Sequence, residues 1–132
     1  MKKFLISAVN VFLFFIGIAQ TSKDTINSID SANLKQGHWV IYNKTKHFPN
    51  YSDNQIVEEG YYINDKKEGI WKRYWNNGKI LAEVTYNNNI QSGYAKIYYK
   101  NGNISEEGNW ENGKWSGNYK LYDENGQLIR QK

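Results

Sequence analysis

The chain has no cysteine and a single proline, Pro49, among its 132 residues. Without cysteine there is no disulfide scaffold, no thiolate metal site, no catalytic thiol and no lipid-modified cysteine. Histidine is scarce too: His38 and His47 are the only two. A metal site would need both, joined by carboxylates such as Asp53, yet His38 belongs to a regular pattern and His47 to an irregular one. Both are read as surface residues, and no metal or cofactor is expected. Charge of one sign is also lacking. The formal balance is +4, and removal of Lys2 and Lys3 would leave 15 basic against 13 acidic side chains. Nucleic-acid binders concentrate far more positive charge on one face, so that class is set aside. The length suits one small domain.

The one long apolar run is N-terminal. Met1-Lys2-Lys3 is a basic start, Phe4 to Ile18 is largely apolar, and Gly17-Ile18-Ala19 places small residues before a cut at Gln20. These three features describe a secretory signal peptide over 1–19. The run falls short of the about 20 apolar residues of a spanning helix and contains Ser7 and Asn10. The expected location is therefore exported: periplasmic, cell-surface or secreted. From 20 to 36 apolar residues are sparse, and a flexible spacer is expected.

What is abundant is periodic. Gly69, Gly93 and Gly117 recur every 24 residues, as do Lys72, Lys96 and Lys120, and Tyr74, Tyr98 and Tyr122. Asn77-Gly78, Asn101-Gly102 and Asn125-Gly126 keep the period, and so do Ile56, Ile80, Ile104 and Leu128, and Glu59, Glu83 and Glu107. Gly37, Trp39 and Tyr42 match Gly69, Trp71 and Tyr74 at a spacing of 32, so the first unit carries an insertion, placed at 43–55. Units are expected near 37–68, 69–92, 93–116 and 117–132. Each holds two runs rich in Trp, Tyr, Ile and Val, and an Asn-Gly dipeptide between such runs signals a type I′ hairpin. The expected fold is all-β: a single-layer antiparallel meander of about eight strands, built as a solenoid of stacked hairpins. A two-residue Asn-Gly loop pairs Trp75 with Ile80, Arg73 with Ala82, Trp71 with Val84 and Gly69 with Tyr86. It also pairs Tyr99 with Ile104. One face is then mostly apolar. The other pairs Lys72 with Glu83 and Lys96 with Glu107, read as ion pairs, beside Tyr74, Tyr98, Tyr122, Leu81, Ser105 and Ile129. An aromatic ring is expected to lie across the bare backbone of each periodic glycine.

The pattern Gly-x-Trp-x-x-Tyr-x-x-Asn-Gly, with Glu and an aromatic further on, resembles MORN repeats, most of all the bacterial YwqK-type, antitoxin-annotated family. Gly69, Trp71, Tyr74, Asn77, Gly78, Glu83 and Tyr86 carry the resemblance. Gly93, Tyr98, Asn101, Gly102, Glu107 and Trp110 repeat it, followed by Gly117, Tyr122, Asn125 and Gly126. Ala95 and Tyr119 replace the Trp. The resemblance implies an elongated stack of hairpins serving as an interaction surface, with no catalytic residue to carry over.

The functional expectation is an exported, non-catalytic module that binds a protein or a glycan. The alternatives are an antitoxin-like or immunity protein and a cell-wall glycan binder. Tyr74, Tyr98 and Tyr122 recur two strands apart, about every 9.6 Å, and with Lys72 and Lys96 form one candidate surface. Phe48 and Tyr51, in the insertion, form another. Periodic glutamates are accounted for by the scaffold, so no catalytic residue is expected. Asp123-Glu124-Asn125-Gly126 resembles the start of a calcium loop but lacks the remaining ligands. Asn-x-Ser/Thr triplets begin at Asn43, Asn50 and Asn103. Membrane binding through lysines is not expected at this charge, and Arg130 and Lys132 oppose pairing at the terminal edge.

Overall fold

In the computed structural model residues 25–132 are described; the expected signal peptide and residues 20–24 lie outside the described residues. Nine strands form one antiparallel sheet in chain order. They are β1 (Ser28–Ile29), β2 (Lys35–Tyr42), β3 (Ile56–Ile63), β4 (Lys66–Tyr74), β5 (Ile80–Asn87), β6 (Ile90–Tyr98), β7 (Ile104–Glu111), β8 (Lys114–Tyr122) and β9 (Leu128–Gln131). The expected meander of hairpins is present, with one strand more. β1 and the start of β2 fall within the stretch read as a spacer. There Asp30 Oδ1 accepts the Ala32 and Leu34 N–H groups, the same corner that Asp123 makes with Asn125 and Gln127.

The corners differ from expectation in an instructive way. At the Asn-Gly dipeptides only the glycine is left-handed, with φ of 80° at Gly78, 100° at Gly102 and 82° at Gly126. The Trp75 N–H donates to the Lys79 carbonyl at 2.8 Å. The loop therefore has three residues, not two, and closes on a left-handed glycine. Two-residue loops with both residues left-handed do occur, at the opposite end of the sheet: Asn64-Asp65, Asn88-Asn89 and Asn112-Gly113. The Asn of each Asn-Gly corner is used elsewhere. Asn77 Oδ1 accepts the Lys79 N–H, and its Nδ2 donates to the Lys100 carbonyl of the next corner at 3.0 Å. Asn101 repeats both bonds with Asn103 and Glu124.

A three-residue loop slips the register by one, and a bulge slips it back. Tyr74 pairs with Ile80, Tyr98 with Ile104 and Tyr122 with Leu128, whereas Arg73 opposite Ala82, Trp71 opposite Val84 and Gly69 opposite Tyr86 are as expected. The extra residues are Val57, Leu81, Ser105 and Ile129. The bulge brings Leu81 onto the apolar face, where it packs against Ala82, Val84 and Ala95.

The periodic glycines serve backbone conformation rather than ring stacking. Gly37, Gly69 and Gly117 have φ of 72°, 69° and 36°, and a Cβ there would meet nothing within 4 Å. A ring lies instead on another glycine: a Cβ at Gly60 would fall 2.4 Å from Trp71 Cδ2, whereas one at Gly108 would fall 2.9 Å from the backbone Cα of Tyr119. One unit after Gly60 and Trp71 stand Val84 and Ala95, which pair across β5 and β6. Large and small have changed sides, so each unit keeps one bulky group at this crossing. The departure at Ala95 is thus matched on the neighbouring strand.

The insertion is a cap. Buried Asn43 donates from Nδ2 to the Phe48 and Tyr51 carbonyls and accepts the Phe48 N–H on Oδ1. Tyr51 Oη donates to the Tyr74 carbonyl. Trp75 Nε1 and Tyr99 Oη make the equivalent bonds to the carbonyls of Tyr98 and Tyr122. Tyr51, Trp75 and Tyr99 are 24 apart, so the chain rejoins the period at Tyr51.

Two outcomes test this packing. Gly60→Ala should lower the urea midpoint by the equivalent of about 1–3 kcal/mol, because the indole above it has to move. Ala95→Trp should destabilise alone, and Val84→Gly should recover much of that loss in the double variant, giving a coupling of about 0.5–3 kcal/mol in a double-mutant cycle.

Candidate interaction surface

One register row crosses the polar face: Val40, Glu59, Lys72, Glu83, Lys96, Glu107, Lys120 and Gln131. The expected pairs Lys72/Glu83 and Lys96/Glu107 are direct neighbours in it. They are not ion pairs. Among the described residues no carboxylate lies within 4 Å of either ammonium, and of the three lysines in this row only Lys120 reaches one, Glu107 at 3.7 Å. The carboxylates are held by phenols instead. Tyr74 Oη donates to Glu59, Tyr98 Oη to Glu83 at 2.7 Å and Tyr122 Oη to Glu107 at 2.7 Å. Each donor stands 15 residues after its acceptor, on the adjacent strand. A rigid ring loses less freedom in such a bond than a lysine stem, and a charged acceptor strengthens it.

These bonds move the titrations. Burial, then the bond to its glutamate, raises the phenols of Tyr74 and Tyr98. Tyr94 also donates to Glu107, and that bond first, with burial second, pushes its phenol up to about 12. The bond to Glu107 likewise raises Tyr122. Glu107 is lowered by its two tyrosine donors and further by Lys120 and Lys96. The three periodic tyrosines thus tie strands together. Exposed groups on this face are ones the period did not single out: Tyr61, Ile70 and Tyr94. They line two adjoining hollows that share Ile70 and Glu83. Their signal in the sequence is faint, an apolar pair 24 apart at Ile70 and Tyr94.

The apolar face carries a smaller but more enclosed hollow. A groove of about 180 Å³ is floored by Ala82, Val84 and Ala95 and walled by Trp71 and Tyr86 on one side and Trp110 and Trp115 on the other. Trp110 and Trp115 meet edge to face at 5.0 Å, as Tyr62 and Trp71 do at 4.9 Å. Toward the insertion, Glu58, Arg73 and Tyr86 pass from this groove into a second hollow of about 260 Å³ that Lys46 and Phe48 also line. Lys67 Nζ sits 2.6 Å from Glu58 Oε1 and 3.9 Å from the centre of the Trp71 ring. The predicted site residues are therefore divided. Tyr74, Tyr98, Tyr122, Lys72 and Lys96 belong to the polar face, while Phe48 lies at the end of the apolar trough and Tyr51 is anchored beside it. Asp123 is engaged by its own corner through two backbone N–H groups.

The titrations set the pH limits of the sheet. A phenol raised on folding stabilises the fold fully below its unfolded value near 10.0, and that contribution is lost as pH climbs through the folded value. Resistance to urea should fall as pH rises above about 10, and phenolate absorbance at 295 nm should show Tyr74, Tyr94, Tyr98 and Tyr122 ionising above the free residue. Glu107 has the opposite sign: its contribution is lost as pH falls through its lowered value, below the ordinary glutamate range. Tyr98→Phe should cost about 1 kcal/mol and flatten part of the alkaline loss.

Three stretches of the chain, 67–88, 91–112 and 115–132, match the MORN repeat variant. Each match is one Asn-Gly hairpin, cut at the left-handed two-residue corners. No curated protein matches the chain. The register, the glycine corners and these matches agree: within the sheet from β4 to β9, three successive hairpins are similar to the MORN repeat variant.

Proposed function

We propose that the protein is an exported, non-catalytic binding module that seats a protein partner on its apolar face. The observation that carries this reading is the uncovered trough. A sheet ordinarily buries its apolar face against a second layer, and among the described residues no second layer covers Tyr86, Trp110 and Trp115, which stay half-buried. Aromatic walls with a charged rim suit a protein interface, where Trp, Tyr and Arg dominate the binding energy. The repeat glutamates, which acid–base chemistry would require, are engaged by tyrosines. Export rests on the basic, apolar and small-residue segments of 1–19. An antitoxin-like role is a special case of this reading and requires a toxic target outside the cytoplasm.

A glycan reading is favoured by one observation, the exposed rings of Tyr61 and Tyr94 on the polar face. The two readings separate by mutation. Ile97→Lys, in the apolar groove, should abolish capture of the partner from extracytoplasmic extract, with circular dichroism unchanged. Ile70→Lys, between the polar hollows, should leave capture intact. The reverse pattern, with retention on cell-wall material lost in Ile70→Lys, would transfer the function to the polar face.

A further inference from the structure

We infer that the apolar groove is a receptor slot for one aromatic side chain of the partner polypeptide, with Arg73 receiving a carboxylate next to that residue. The inference rests on the reading of the apolar face as the binding face and names what enters it.

The slot lies where the period omits a ring. Trp39, Trp71 and Tyr119 occupy one position of successive units, and Ala95 occupies it in the unit between Trp71 and Tyr119. The groove is centred there, between the walls of two aromatic pairs. Its size fits a single ring. About 180 Å³ falls below the roughly 300–1,000 Å³ of small-molecule pockets and near the about 150 Å³ of a cavity that takes benzene. The chain itself shows how a ring is held at this position. Trp71 meets Tyr62 edge to face at 4.9 Å and 74°. The residue one period after Tyr62 is Tyr86, which lines the groove, so an incoming ring finds the partner that Trp71 already has.

Charge sets the flanking chemistry. Glu58 is neutralised by Lys67 at 2.6 Å. Arg73, exposed on the same rim, has no carboxylate within 4 Å among the described residues. A lysine from the partner would meet an unpaired cation without a free acid. An aromatic residue followed by Asp or Glu meets the slot and then the guanidinium, which binds carboxylates in a planar fork.

The test is a titration of the protein with Ac-Trp-Asp-NH2, read from the methyl resonances of Ala82, Val84 and Ala95. Saturable shifts in the millimolar range are expected, as one anchoring ring supplies. Ac-Leu-Asp-NH2 and Ac-Lys-Asp-NH2 should bind at least about tenfold more weakly. Ac-Trp-Asn-NH2 should bind about fivefold more weakly, and Arg73→Gln should erase that difference. The double variant Val84→Gly/Ala95→Trp rebuilds the Gly60/Trp71 arrangement and fills the slot, so it should lose binding at least about tenfold. If it fails to fold, Gln91→Trp, which copies Trp115 one unit earlier, narrows the same slot and should give the same loss. Silent methyls at about 10 mM peptide, equal binding by a filled variant, or tighter binding of the Lys peptide would each overturn the proposal. Silent methyls together with loss of partner capture in Ile97→Lys would remove the slot while leaving the apolar face as the binding face.

Discussion

A sheet one layer thick can bury a side chain only beneath other side chains of the same sheet. Most of this protein's unusual features follow from that constraint. Trp71 is almost fully buried, at 1 % exposure, although no second layer among the described residues faces it. It achieves this by lying flat on Gly60, flanked by Tyr62 and covered by the Lys67 stem. Aromatic residues are suited to this role because they carry large apolar area on few rotatable bonds, with a polar tip that reaches a carbonyl or a carboxylate. The composition, rich in Tyr and Trp, is that requirement expressed as a sequence.

The same constraint explains how successive hairpins are joined. Without a common core, each unit must grip the next directly, and it does so at three levels. Corner asparagines donate to carbonyls of the following corner. Tyr51, Trp75 and Tyr99 donate to carbonyls 23 residues on. Tyrosine hydroxyls hold the glutamates of the adjacent strand. All three use side-chain donors on backbone or charged acceptors, bonds that survive partial exposure to water better than lysine–glutamate contacts at the surface. Stability is then expected to be distributed along the stack in near-neighbour increments.

A ladder of matched units also makes any mismatch conspicuous. At Ala95 the bulky group has crossed to Val84, which preserves the packing at that crossing but not the ring that projected above it. The groove is the residue of that exchange. A gap between two aromatic walls is where the proposed partner would gain most by supplying the missing surface. The insertion extends the trough by bringing Phe48 to its far end, while Asn43 and Tyr51 hold the loop in place.

The 24-residue period in the sequence determined the hairpin stack, the division into an apolar and a polar face, and most of the register, because alternation along a strand and repetition of turns are local properties. Lys72 opposite Glu83 and Trp71 opposite Val84 were legible for that reason. The kind of corner was not. Asn-Gly satisfies either a two-residue or a three-residue loop, and the choice depends on what the asparagine side chain finds in the next unit. The bulge column at Val57, Leu81, Ser105 and Ile129 was hidden for the same reason, since it cancels the slip of the corner and leaves the distant register unchanged. The candidate site divided likewise. Phe48 was visible as a departure from the repeat, but the groove was not, because a cavity is the volume left over when side chains on six strands are placed together. Only the tertiary structure decides that Tyr74, Tyr98 and Tyr122 spend their hydroxyls within the sheet, and that an aromatic-walled groove lies on the face behind them.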